Sequence, residues 1–230
     1  MAPPACPLPV ARLACLPLSL HHAVQQGANT NGEAPRPSGQ AMTALHRLRR
    51  RLKRLLSAST SFEGMVYRSS TPKYATEQDL LTGEGSRRFG GRWNPVGIAM
   101  VYASLTPETA MAETLAHHRY YGIPIEDAMP RVFVAIEARL RFVLDLREGA
   151  VRQRLQVSLE RILAVDWRAE IREGRQPVTQ LIGQAAWESS WEGLIVPSAA
   201  DPKGNNLVIL PDRLRPESSL TILNVGRLIR

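Results

Sequence analysis

The 230-residue sequence predicts an α+β fold. Two observations carry that reading. Strand-like runs stand at both ends of the region after residue 64, and helical periodicity fills the stretch between them. No internal repeat is visible.

The elements follow in order. Residues 1–44 are rich in Ala, Pro, Gly, Asn and Ser and read as a disordered N-terminal arm. Residues 45–64 read as a basic amphipathic helix and linker. Leu45, Leu48, Leu52, Leu55 and Leu56 recur at helical spacing with Arg and Lys between them. Such a helix either meets an anionic surface, lipid or nucleic acid, or packs its leucines on the body; the second is the commoner outcome. The main domain is expected over 65–230. MVYRS (65–69) and IAMVYAS (98–104) read as strands. Thr106-Pro107-Glu108 opens a helix running to Gly122: a capping hydroxyl, a proline at the first position and an acid in the first turn. RVFVAIEA (131–138) alternates like a half-buried strand, and FVLDL (142–146) follows as another. Helical patterns occupy 149–173 and 178–189. GLIVPSA (193–199) and NLVIL (206–210) are strands joined by a turn holding Asp201-Pro202-Lys203-Gly204. TILNV (221–225) reads as a last strand.

Composition narrows the function classes. Hydrophobic residues make up 44% and charged residues 22%, ordinary values for a soluble domain. The net charge of +8 points to nucleic acid at first sight, but its distribution does not. Residues 1–64 carry eight Lys and Arg against two Asp and Glu; the remainder carries twenty-one against nineteen. Nucleic-acid contact is therefore expected only weakly, through the basic arm, or through a partner. Cys6 and Cys15 are the only cysteines, so no disulfide framework runs through the main domain, which fits a reducing cytoplasm. No apolar run reaches the roughly 18 residues of a membrane span. The apolar opening lacks a basic start and is broken by prolines, so a secretory signal is not expected.

Four places carry chemistry. In GSRRFGGRWNPVG (85–97), glycines let backbone approach a ligand and arginine offers a planar fork to phosphate. No Gly-Lys-Ser/Thr ends the stretch, and it leads into a strand, which excludes the common nucleotide-binding loops. A basic surface turn is the competing reading. Glu113 lies among Ala110, Met111, Ala112, Leu115 and Ala116, facing either solvent or a cleft; with His117 four residues on it offers too few ligands for a metal, and none is expected. Ser198 follows a strand without a nucleophile-elbow pattern and reads equally as a turn residue. Arg68 sits in an apolar strand, where its charge needs an anion from protein or ligand. Tyr102, also in a strand, is a core or a site residue.

Together these pieces resemble the RES domain family. The match is an ordered series: Tyr67-Arg68; Gly90-Gly91-Arg92-Trp93-Asn94 with Gly97; Val101-Tyr102-Ala103-Ser104; Ala112-Glu113; and Val196-Pro197-Ser198 followed by Asn206-Leu207-Val208. The resemblance implies an ADP-ribosyltransferase-like fold with a mixed, mostly antiparallel β core flanked by helices. It implies an NAD⁺-degrading toxin that cleaves the nicotinamide–ribose bond by hydrolysis or phosphorolysis and is neutralised by an Xre-type helix-turn-helix antitoxin. ADP-ribosyl transfer to a macromolecule is the alternative, and a non-enzymatic protein binding anionic surfaces a third. By resemblance Arg68, Glu113 and Ser198 are catalytic, and Arg92, Tyr102, Trp93, Gly90, Gly91 and Asn94 bind substrate. No cofactor is implied, since NAD⁺ is the substrate and inorganic phosphate a co-substrate. The chain departs from the family in Ser86-Arg87-Arg88-Phe89 and in the long interval from Glu113 to Ser198.

Overall fold

The computed structural model describes residues 39–227, so the expected arm lies outside the described residues up to residue 38. Helix α1 (Gly39–Leu55) begins earlier than its leucine pattern. Strand β1 (Thr60–Ser70) follows, then short helices α2 (Glu77–Leu81) and α3 (Glu84–Phe89), and strand β2 (Val101–Ser104). Helix α4 (Pro107–Tyr120) leads to the long strand β3 (Val132–Asp145). Three short helices come next, α5 (Gly149–Leu155), α6 (Leu159–Ala164) and α7 (Trp167–Arg172), and then α8 (Val178–Glu188). Strands β4 (Gly193–Pro197), β5 (Asn205–Ile209) and β6 (Ser219–Arg227) complete the described chain. Among the described residues no helix is long and apolar enough to cross a membrane.

The sheet closes on itself. Pairing runs β1–β2–β5–β4–β3 and returns from β3 to β1, with β6 added alongside β3. Only β3 and β4 are parallel; the other pairs are antiparallel. This is the mixed, mostly antiparallel core. The parallel pair explains the long interval before Ser198: parallel strands need a crossover, and α5–α8 supply it. One apolar cluster joins Val66, Val101, Val134, Ile136, Leu207 and Ile209. The other gathers Trp93, Met100, Ile182 and Trp191 with the leucines of α1.

Four elements depart from the sequence expectation. First, α1, expected outside the main domain, packs its leucines into the core, as the commoner of its two readings had it. Leu45, Leu48, Leu52 and Leu55 are all buried, and α1 packs on α8 with an Arg49–Glu188 ion pair at 3.5 Å. Each buried leucine contributes up to about 1.5–3 kcal/mol. Second, β1 starts at Thr60 and lies along β3 from Thr60↔Val143 to Ser70↔Val132. Third, 131–138 and 142–146 are one strand. Arg139 and Arg141 are exposed and Leu140 is buried, so the alternation runs on from Val132 through Arg141; the two charges only disguise it. Glu192, fully buried, holds this strand at Arg141 and Phe142, accepting their N–H groups at 2.6 and 2.9 Å. Its other oxygen accepts from Arg215 N–H at 2.7 Å and Ser218 Oγ at 2.9 Å. Fourth, 149–173 is three helices. Gln156 takes a left-handed φ of 58°, and Ser158 and Asp166 each cap a new start by accepting the N–H of Arg161 and Ala169.

Candidate active site

Glu113 is placed by α4. Thr106 caps the helix by accepting the Thr109 N–H at 3.2 Å, Pro107 takes the first position, and the helix packs against β1 and β2. From there the Glu113 carboxylate reaches the end of β4 and the start of β5, and through Asn206 the end of β2. Its Oε1 accepts from Ser198 Oγ at 2.6 Å and from Asn206 Nδ2 at 2.7 Å. Asn206 Oδ1 accepts in turn from Ser104 Oγ at 2.7 Å. Ser198 Oγ accepts the N–H groups of Asp201 at 2.9 Å and Ala200 at 3.1 Å. The serine proton is thereby committed to the carboxylate, and Oε1 is fixed from two sides. Oε2 accepts no hydrogen bond among the described residues, leaving it for a ligand.

The turn that carries Ser198 is itself fastened to α4. Thr109 Oγ1 donates to Asp201 Oδ2 at 2.7 Å, which holds the Asp201 carboxyl below the usual range, helped by the Lys203 N–H. Ser198 N–H donates to the Gly204 carbonyl at 3.0 Å. A side chain on Gly204 would strike both Thr109 and Asp201.

The glycine-rich stretch has a different task from the one its composition suggested. Its first part is helix α3, not loop, and Arg87 and Arg88 both donate to Glu84, at 2.8 and 2.7 Å from their Nε atoms. Gly90 ends that helix with a φ of 72°. Beyond it the backbone closes on itself: Gly91 N–H donates to the Asn94 carbonyl at 2.9 Å. Gln180, buried on α8, donates to the carbonyls of Gly91 and Asn94 at 2.8 and 3.0 Å. Tyr102 OH donates to Asn94 Oδ1 at 2.7 Å and accepts the Trp93 N–H at 2.9 Å. Burial pushes the Tyr102 phenol well up. A Cβ on Gly91 would lie 2.5 Å from the Tyr102 oxygen, so glycine is required there by the protein's own packing. Trp93 is 2% exposed and Asn94 fully buried; neither side chain presents a face to a ligand.

Arg92 points elsewhere. Its Nη2 donates to the carbonyls of Ile162 and Leu163 at 2.6 and 2.9 Å, and Nη1 to that of Val165 at 3.2 Å. Burial lowers its pKa, and the nearby Glu113 carboxylate opposes that. The arginine thus latches the α6–α7 segment to the site with three of its five N–H donors. Beside it opens a cavity of about 220 Å³, lined by Arg92, Tyr120, Ala164, Val165, Asp166, Trp167 and Arg168. Arg68 makes no hydrogen bond to Glu113 or Ser198 among the described residues. Its Nη1 bonds the Leu80 carbonyl, and burial pulls the guanidinium down to about 10, opposed by Asp79. It remains charged at neutral pH.

The structure therefore joins Glu113 to Ser198, and Gly91 and Asn94 to Tyr102; Arg92 is within electrostatic reach of Glu113 and Tyr102, and Arg68 hydrogen-bonds to neither group. Sequence reasoning did not assign Asn206, Ser104 or Gln180 to the site, although Ser104 and Asn206 both stand in the ordered series. Gln180 carried no signal, because it meets the site only through the crossover.

Residues 65–223 match the protein family described as RES domain. The chain is 33% identical over 153 residues to the Prs ADP-ribosylating toxin of Sphingobium sp. (strain YBL2), covering 66% of this chain and 83% of that protein. It is 29% identical over 144 residues to the NAD(+) phosphorylase MbcT of Mycobacterium tuberculosis (strain ATCC 25618 / H37Rv), covering 60% of this chain and 71% of that protein. Its fold is similar to a chain in the crystal structure of the M. tuberculosis MbcT–MbcA toxin–antitoxin complex. That likeness has a TM-score of 0.60 and 25% identity, and it covers 79% of this chain and 92% of that one.

Proposed function

Since the chain belongs to the RES domain family, we propose that it is a toxin that cleaves the nicotinamide–ribose bond of NAD⁺. The observation that carries this reading is the Glu113 carboxylate, anchored through Oε1 by Ser198 and Asn206 with Oε2 unbonded. Breaking that glycosidic bond sends the electron pair to nicotinamide and builds positive charge on the ribose, as in other oxocarbenium-like cleavages. A fixed carboxylate stabilises that charge and holds a ribose hydroxyl. Because its orientation is set beforehand, it reorganises little during the reaction. Ser198 acts by aiming Glu113 rather than by touching substrate, since its proton is already given. An oxygen nucleophile then bonds the anomeric carbon and loses a proton: phosphate yields ADP-ribose-1″-phosphate, water yields ADP-ribose. Arg68 and Arg92 supply positive charge near the site, and the half-buried Tyr102 ring is the surface offered to nicotinamide.

The partner of such a toxin is an antitoxin, by likeness to the MbcT–MbcA complex, and we assign it to the helix-turn-helix class, acting in the cytoplasm. A second reading, ADP-ribosyl transfer to a macromolecule, is favoured by the relative named an ADP-ribosylating toxin.

Mass spectrometry of the products from NAD⁺, with and without inorganic phosphate, tests the assignment. Phosphorolysis gives the 1″-phosphate only when phosphate is present; transfer leaves ADP-ribose on a macromolecule. Glu113→Gln keeps the shape and removes the charge, and is expected to lower turnover by about 10²-fold or more. NAD⁺ left intact by the folded wild-type protein would sink the proposal.

A further inference from the structure

The phosphates of the dinucleotide need a cation, and Arg92 gives three of its five N–H donors to carbonyls of the crossover. The cavity beside it holds a second guanidinium, that of Arg168. Three aromatic rings lie within cation–π distance of it: Trp167 at 4.2 Å, Tyr120 at 4.6 Å and Tyr121 at 5.3 Å from Cζ to ring centroid. Two of its nitrogens are held. Nε donates to Tyr121 OH at 3.1 Å and Nη2 to His117 Nδ1 at 3.0 Å. Nη1 donates to nothing among the described residues. The one carboxylate lining the cavity, Asp166, accepts the Ala169 N–H at 3.0 Å and makes no ion pair with Arg168. Tyr120, for its part, accepts from Arg172 at 3.0 Å.

The cluster lies along one face of α4. His117 follows Glu113 by four residues, so the two side chains stand one helical turn apart on the same face. A turn is about 5.4 Å of rise, the scale of one sugar ring. The anomeric carbon and the 5′-phosphate stand at opposite ends of one ribose. A ribose whose anomeric carbon meets Glu113 therefore carries its phosphate towards Arg168.

We propose that Arg168, stacked on Trp167 and the Tyr120–Tyr121 pair, binds the pyrophosphate of the dinucleotide in the 220 Å³ cavity, and that Arg92 serves to position the segment that carries it. This rests on the NAD⁺ reading above. A guanidinium already stacked and doubly bonded loses little freedom when a phosphate arrives, and its fork geometry suits phosphate oxygens.

The full chain, assayed for NAD⁺ consumption with phosphate present, decides it. R168A is expected to raise KM for NAD⁺ by about 10- to 100-fold, the worth of a charge-assisted contact, and to leave kcat within a few-fold. Calorimetry separates the ligand's parts. ADP, which carries the pyrophosphate, should bind R168A weaker by the same factor; nicotinamide riboside, which has no phosphate, should bind as before. A residue that only pins the aromatic cluster would instead lower kcat and weaken both ligands alike, and that result overturns the proposal. So does unchanged ADP affinity in folded R168A. If R168A does not fold, R168K decides: it keeps the charge and loses the planar fork, so undiminished ADP affinity overturns the assignment. Wild-type protein that leaves NAD⁺ intact removes the underlying reading instead, a separate failure.

Discussion

Gly91 shows how a residue type read for one purpose serves another. Two adjacent glycines before an arginine suggested close approach of backbone to a phosphate. The space is in fact taken by the Tyr102 hydroxyl and Asn94 Oδ1, at 2.5 and 2.8 Å from the position of a Cβ. Gly91→Ala should cost about 1–3 kcal/mol, the usual range for overpacking. Removing the hydroxyl relieves part of it, so Tyr102→Phe should be less harmful beside Gly91→Ala than in the wild type. Denaturant unfolding of the four proteins of that cycle measures the coupling; strictly additive costs would refute the contact. The individual residue types were therefore legible, and their partners were not. Nothing in the sequence says that Tyr102, Asn94 and Gln180 spend their polar groups on one another, because those contacts join separate elements.

Elements were legible where a periodic pattern ran unbroken. The alternation from Val132 and the capped start of α4 were both plain. The errors arose where charges interrupted a pattern or local caps divided it. Arg139 and Arg141 hid the continuity of β3, and Ser158 and Asp166 broke one helical stretch into three. For α1 the sequence showed the amphipathic face but not what it covers. Its leucines line the core, while Arg47, Arg50, Lys53 and Arg54 are exposed. Leu52→Ala should thus cost about 2–5 kcal/mol. Arg50→Ala on the opposite face should stay within about 0.5 kcal/mol. Equal thermal shifts for the two variants would show that α1 is not a core element.

At the scale of the molecule, the hydrogen bond between Thr109 and Asp201 couples acid stability to the site. The folded Asp201 carboxyl is held low, first by Thr109 and then by Lys203 N–H. Its stabilising effect is fully present above the ordinary carboxylate value of about 3.9 and is lost as pH falls through the lower folded value. Asp201→Asn should accordingly flatten the fall of Tm with pH below about 4. Wild-type and variant curves that run parallel there would contradict it. The site as a whole was legible as an ordered set of residues but not as a geometry. Glu113 and Ser198 meet only because β4 is laid parallel to β3 by the intervening crossover. The same crossover brings Arg168 to the cavity.

The closed sheet also sets an order in which the chain can be completed. β6 has a single strand partner, β3, and so presents an open row of backbone donors and acceptors on its other side. β1 and β3 can pair as soon as both have been synthesised. The ring stays open until β4 and β5, made much later, fill the gap between β3 and β2. Ser198, directly after β4, and Asn206, on β5, arrive with those same two strands. The event that seals the sheet is therefore the one that first anchors Glu113, and a nascent chain short of β5 holds neither a finished sheet nor a fixed carboxylate.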